Sequence, residues 1–126
     1  MSLVLDASAL LALLHKEPGA EQVERVLDGA LVSTVNWAEV VRKSLQRRTD
    51  VSWLREGFTE VGVEVAPFTP SQAERAAHLW EKTRRYGLSL TDRAGLALAM
   101  ERNLPILTAD RVWGELDLGI EIRLAR

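Results

Sequence analysis

Ser2-Leu3-Val4-Leu5-Asp6-Ala7-Ser8-Ala9-Leu10 is the stretch from which the rest of the chain is read. A brief run of aliphatic side chains reads as a buried strand. It stops at an acid, and helical periodicity follows at once, from Ser8 to Leu14. In an open α/β sheet, ligands bind in the crevice outside the carboxyl ends of the strands. Asp6 is therefore expected at such an end, and the function turns on whether other acids reach the same place.

Outward from that stretch, strands and helices alternate. Pro18-Gly19 ends the first helix, and a second is predicted over Ala20 to Asp28, closed by Gly29. Leu31 to Thr34 reads as a strand, Asn36 to Arg48 as a helix, and Val51 to Val61 as another, capped by Asp50 and ended by Gly62. Val63 to Ala66 is the third strand. Thr69-Pro70-Ser71-Gln72 has capping-box spacing with Pro at the first helical position, so a helix is expected from there to Tyr86, stopped by Gly87. An apolar helix over Arg93 to Arg102 suits burial against a sheet. Ile106 to Thr108 and Ile120 to Leu124 complete the strands, with Ala109-Asp110-Arg111 as a turn. The alternation predicts a three-layer α/β/α fold, a mostly parallel sheet of about five strands with helices on both faces.

The chain has 126 residues, 47% of them hydrophobic, which fits one domain over 1–126 with its own core. Cys is absent, which removes disulfides and thiolate metal sites and agrees with a reducing cytoplasm. The longest apolar run, Ala7 to Leu14, is too short to span a bilayer, and no basic segment precedes it, so neither a membrane span nor a signal peptide is expected. A net charge of −2 argues against a generally cationic coat for nucleic acid, although a bound divalent ion reverses the field of an acidic site.

Right-handed crossovers bring helix N-termini to the edge where strands end. Asp6 and Asp110 follow strands directly, Glu39 lies in the first turn of a helix after a strand, and Asp92 begins the helix before the fourth strand. Each has a local explanation. Asp6 is a natural N-cap; Glu39 stands three residues after Asn36 and Asp92 three after Ser89, both at capping-box spacing; Asp110 opens a turn. As a group they carry a different implication. Two unit charges ~5 Å apart at an effective dielectric of ~20 repel by about 3 kcal/mol, so acids gathered in one crevice call for a cation. Oxygen donors without Cys suit Mg²⁺ or Mn²⁺. Spacing alone leaves both readings open.

Five stretches in order resolve the choice: Val4-Leu5-Asp6-Ala7-Ser8-Ala9-Leu10, Glu17-Pro18-Gly19, Val35-Asn36-Trp37-Ala38-Glu39-Val40, Gly87-Leu88-Ser89-Leu90-Thr91-Asp92-Arg93-Ala94 and Leu107-Thr108-Ala109-Asp110-Arg111-Val112-Trp113. Over nearly its whole length the chain resembles PIN-domain proteins, most specifically the VapC-type toxins of bacterial toxin–antitoxin pairs. The resemblance implies a metal-dependent endoribonuclease whose four acidic positions fall on Asp6, Glu39, Asp92 and Asp110, with hydroxyl residues at Ser8 and Thr108. Asp6 and Asp92 are expected as direct Mg²⁺ ligands, with Mn²⁺ as a substitute, and Glu39 and Asp110 partly through water. Ser8 and Thr108 are expected to orient carboxylates or the substrate phosphate. Glu115 and Asp117 stand where the family varies, so their roles stay open. In-line hydrolysis leaving a 5′-phosphate and a 3′-hydroxyl, a homodimer, and a VapB-like antitoxin whose C-terminal segment approaches the acids are further implications.

Arg93 and Arg111 each follow a site acid and are the preferred contacts to an RNA backbone. Arg42, Lys43, Arg47, Arg48, Lys82, Arg84 and Arg85 read as solvated helix faces or helix ends. His15 and His78 lie away from the inferred edge. Trp37, Trp53, Trp80 and Trp113 read as packing residues, with Trp53, Leu54 and Phe58 on a helix suited to a partner. A haloacid-dehalogenase-like phosphatase needs a second Asp where Ser8 stands, and a phosphoreceiver needs an Asp after strand three, where Ala66-Pro67-Phe68 offers none. The remaining alternative is a non-catalytic PIN-like module that binds RNA or protein.

Overall fold

The computed structural model describes residues 2–126. Strands β1 (Val4–Leu5), β2 (Leu31–Ser33), β3 (Glu64–Ala66), β4 (Ile106–Thr108) and β5 (Ile122–Leu124) form one sheet in the order β3-β2-β1-β4-β5. Every pairing is parallel, so the sheet is wholly rather than mostly so. Val4 sits at its centre, in register with Leu31 on one side and Ile106 on the other.

Successive residues of a strand point to opposite faces, and this alternation divides the core into two clusters. Leu3, Leu5, Val32 and Leu107 pack with Ala9, Leu10, Val40 and Phe58. Val4, Leu31 and Ile106 pack with Leu96, Leu98 and Trp113. The connecting helices are α1 (Ala7–Leu14), α2 (Ala20–Glu24), α3 (Thr34–Gln46), α4 (Leu54–Glu60), α5 (Pro70–His78), α6 (Trp80–Thr83) and α7 (Leu90–Arg102), with 3₁₀ turns over Arg84–Tyr86 and Arg111–Glu115. The result is the expected three-layer α/β/α architecture. Among the described residues no helix is long and apolar enough to cross a membrane.

Where boundaries differ from the sequence reading, a specific bond is responsible. The helix expected over 20–28 ends at Glu24, and beyond it the Gly29 N–H donates to the Gly62 carbonyl (2.9 Å), drawing the chain toward the turn before β3. Helix α3 begins at Thr34, not Asn36, because the Ser33 hydroxyl accepts from Val35 N–H (3.2 Å). Asp50 accepts from Ser52 N–H (3.0 Å) in a turn, so the next helix waits until Leu54. Thr69 caps α5 as expected, accepting from Gln72 N–H (3.2 Å). The helix expected to reach Tyr86 breaks at Leu79, whose carbonyl accepts from the Thr83 hydroxyl (2.8 Å), a back-bond that bends helices. Ser89 caps α7, which therefore starts at Leu90, and β5 is two residues shorter at its start than expected.

The tryptophans divide. Trp113 is fully buried, and Trp37 meets Phe58 edge-on at 5.8 Å between ring centroids. Leu54 and Phe58 point into the chain's own core, which corrects the expectation that they face a partner; only Trp53 of that group is exposed.

Gly62 adopts φ +96°, and a Cβ there would collide with Asp28 Oδ1 and stand 3.0 Å from Asp28 Cα. Gly62→Ala is expected to destabilise the fold by about 2 kcal/mol. Urea unfolding checks this; an unchanged midpoint refutes it.

Candidate active site

Asp6 leaves the sheet at the end of β1, where its N–H donates to the Leu107 carbonyl of β4 (3.2 Å). The residue is only 2% exposed. Its Oδ1 accepts from Ala9 N–H (2.9 Å), so the capping role allowed by the sequence is real, and the Ser8 hydroxyl donates to the same oxygen (2.8 Å). The Thr108 hydroxyl donates to Oδ2 (2.7 Å). Ala109 N–H donates to Ser8 Oγ (2.9 Å) and Asp110 N–H to Thr108 Oγ1 (3.0 Å). One network thus joins Asp6, Ser8, Thr108 and the Asp110 backbone across β1 and β4. The exposed Asp110 carboxylate accepts from Val112 N–H (3.1 Å), opening the 3₁₀ turn.

Burial pushes the Asp6 carboxyl up to about 6, against the hydrogen bonds from Thr108, Ala9 and Ser8 that favour its anion. The Asp92 charge adds to the rise, which places the two acids within electrostatic reach. Asp92 occupies the first turn of α7 in a reciprocal capping box: its Oδ2 accepts from Ser89 N–H (2.9 Å) while its own N–H donates to Ser89 Oγ (3.1 Å).

Glu39 comes from α3, outside the Asp6 network. It is half-buried, and its Oε2 lies 4.0 Å from Lys43 Nζ one turn on. One turn before it, Asn36 is fully buried and donates from Nδ2 to the Thr91 carbonyl (3.1 Å), beside Asp92. A Cβ on Gly95 would stand 3.0 Å from Asn36 Oδ1, so glycine lets α3 approach α7 here. The sequence presents Asn36 as a cap partner; its buried link between the helices carrying Glu39 and Asp92 was not visible there. A polar residue at an inward position of an amphipathic helix was the available signal.

Among the described residues, no three His, Asp or Glu side chains converge into a ready-made metal cage. The donors present nevertheless fit a hard divalent ion. They are oxygens only, and their centre is a buried carboxylate held rigidly by two hydroxyls and an N–H with a second acid in its field. Mg²⁺ is commonly held by one or two carboxylates plus substrate phosphate and water, not by an all-protein cage.

Of the other candidates, Glu115 and Asp117 are exposed. Arg93 is turned inward, donating from Nη1 to the Ala76 carbonyl (2.8 Å), so it braces α7 against α5 in place of the expected RNA contact. Arg111 is exposed. His15 closes α1 and His78 ends α5, both outside the Asp6 hydrogen-bond network.

The fold has known counterparts. The chain is similar to a chain of a toxin–antitoxin complex from Klebsiella pneumoniae, at 21% identity over 90% of this chain and 91% of that one, TM-score 0.71. It is similar to a chain of the DNA-bound VapBC of Salmonella typhimurium, at 18% identity over 100% and 99%, TM-score 0.70. It is also similar to VapC20 of Mycobacterium tuberculosis, a sarcin-ricin loop cleaving toxin, at 14% identity over 91% and 96%, TM-score 0.72. At these identities the likeness is one of fold. No curated protein matches it in sequence. The family model of the PIN domain, however, matches residues 3–118, which takes in every acid discussed above. The chain belongs to the PIN-domain family.

Proposed function

We propose that the chain is a Mg²⁺-dependent endoribonuclease of the VapC kind, with Mn²⁺ as a substitute, acting as the toxin of a toxin–antitoxin pair. The observation that carries this reading is the clamped carboxylate of Asp6, buried, oriented by Ser8 and Thr108, and facing the field of Asp92. Such a group is poorly suited to standing alone as an anion and well suited to meeting a cation.

A divalent ion, when bound, supplies positive charge to the scissile phosphate and acidifies an attacking water. The chain's own part is positioning. Asp6 and Asp92 would hold the ion directly, with Glu39 and Asp110 acting partly through water. Thr108 and Ser8 keep the Asp6 carboxylate in one orientation. Hydrolysis is in-line, leaving a 5′-phosphate and a 3′-hydroxyl. A homodimer, a VapB-like antitoxin and a cytoplasmic setting belong to the same reading. It is supported by membership of the PIN-domain family and by a fold shared with proteins from VapBC complexes.

The test is RNA cleavage by the purified chain with product ends mapped. Cleavage is expected to stop with chelator, to return with Mg²⁺ or Mn²⁺, and to leave 5′-phosphates. RNA bound but left intact under all conditions would favour a non-catalytic binding module and end this proposal.

A further inference from the structure

Beside the acidic edge lies a cavity of about 330 Å³, bounded by α1, α3 and the chain that follows β5. Its lining carries three cations, Lys43, Arg47 and Arg126, against a single acid, Glu17. Ser8 and Ala109 also line it, and both belong to the hydrogen-bond network around Asp6. The cavity and the acidic edge are therefore neighbours along one continuous surface.

Lys43 and Arg47 stand one turn apart, at the end of α3, and so face the same way. Among the described residues Lys43 alone of the three has a carboxylate within 4.0 Å, that of Glu39. Arg126 is anchored by its Nε, which donates to the Ala109 carbonyl (3.0 Å). Among the described residues neither Arg47 nor Arg126 has an ion-pair partner. His15 lines the same cavity with its Nε2 buried and without a hydrogen-bond partner. Burial and the Arg47 charge hold its pKa below the usual value, against the pull of Glu17. A concave surface with surplus cations and an open hydrogen-bonding position is built for an anion.

We propose that this cavity holds a backbone phosphate of the RNA next to the one being cut, with Arg47 and Arg126 as its principal contacts and Lys43 at the boundary with the acidic edge. The assignment rests on the nuclease reading above and specifies how the substrate is held. Continuity through Ser8 and Ala109 favours RNA over an acidic protein segment. An RNA strand places one phosphate at the acids, where a cation mediates, and the next on the arginines. A strand cut at the acids has to pass the cavity as well, whereas an acidic peptide has no reaction to place it at the acids.

The experiment is equilibrium binding of a short single-stranded RNA to the intact chain, with Ca²⁺ in place of Mg²⁺ so that a cation is present at the acids and with the RNA checked to be uncut, over a series of salt concentrations. Arg47→Ala and Arg126→Ala are each expected to weaken binding about 5- to 10-fold and to flatten the slope of log K against log[salt] by about 0.7. Arg47→Lys should keep most of the slope, and Arg75→Ala, on α5 and outside the cavity lining, should change neither quantity. Unchanged affinity and slope in both alanine variants overturn the proposal, as does a wild-type chain that binds no RNA. A poly-glutamate peptide is the second probe. If Arg47→Ala abolishes its binding while RNA binding persists, the cavity belongs to a protein partner and the RNA assignment is wrong. Cleavage is scored separately: if the wild-type chain cuts no RNA with Mg²⁺ or Mn²⁺, the nuclease reading fails whatever Arg47 does to binding.

Discussion

Asp6→Asn is expected to lower metal-dependent RNA cleavage by about 10³-fold or more while the chain stays folded. Losing a group that merely orients a metal ligand typically costs 10- to 100-fold, and Asp6 is proposed as the ligand itself. The amide keeps an oxygen able to accept the Ala9 N–H, so the N-cap of α1 survives, but it removes the charge that holds a cation. Thr108→Val supplies the internal comparison. It deletes the hydroxyl that donates to Asp6 Oδ2 without touching the carboxylate, and should cost about 10- to 100-fold. Initial cleavage rates at saturating Mg²⁺ measure both. Full activity in Asp6→Asn removes the assignment, and equal losses in the two variants mean that Asp6 acts only through the network it shares with Thr108.

The second large effect is on stability in the absence of metal. An unfolded Asp titrates near 3.8, whereas folded Asp6 is pushed to about 6. The folded state therefore binds the proton more tightly, so this group's contribution is most favourable below pH ~4, declines as pH rises through the interval up to about 6, and is flat above it. A gap of two units corresponds to about 3 kcal/mol. Because Asp6 is buried, solvent does little to reduce that figure. In chelator, the stability of Asp6→Asn minus that of wild type should grow between pH 4 and 6.5 and then level off, as read from urea unfolding at each pH. Mg²⁺ should stabilise wild type at pH 7.5 more than at pH 5, and leave Asp6→Asn unmoved, because a ligand of the native state adds stability only where it binds. Parallel pH profiles for the two chains would show that Asp6 carries no such penalty.

The architecture was legible because its signals are local and repeated. Short aliphatic runs ending at acids, Thr69-Pro70 and Ser89 with Asp92 each announce a strand or a helix start within a few residues, and the sheet follows from their alternation. Asp6, Ser8, Thr108 and Asp110 stand together for the same reason, since two neighbouring parallel strands must end at one edge. What escaped the sequence depends on partners far along the chain. The shortening of α2 involves Gly62, the inward turn of Arg93 is set by a carbonyl on α5, and the burial of Asn36 by the approach of α7 at Gly95. Nothing within a few residues of Arg93 distinguishes a brace from a surface contact. The cavity beside Ser8 was hidden likewise: Lys43 and Arg47 on one helix resemble any solvated basic face until Arg126 arrives from the opposite end of the chain.

The bond between Asp6 and Thr108 joins residues 102 apart in sequence. During synthesis Asp6 emerges before β4, and although Ser8 and Ala9 can already bond its carboxylate, the Thr108 hydroxyl is missing until β4 has left the ribosome and added itself beside β1. An unfinished polypeptide therefore lacks an assembled centre, whatever its sequence already encodes. On the nuclease reading proposed above, translation to beyond Thr108 is a built-in delay before the product can act on RNA.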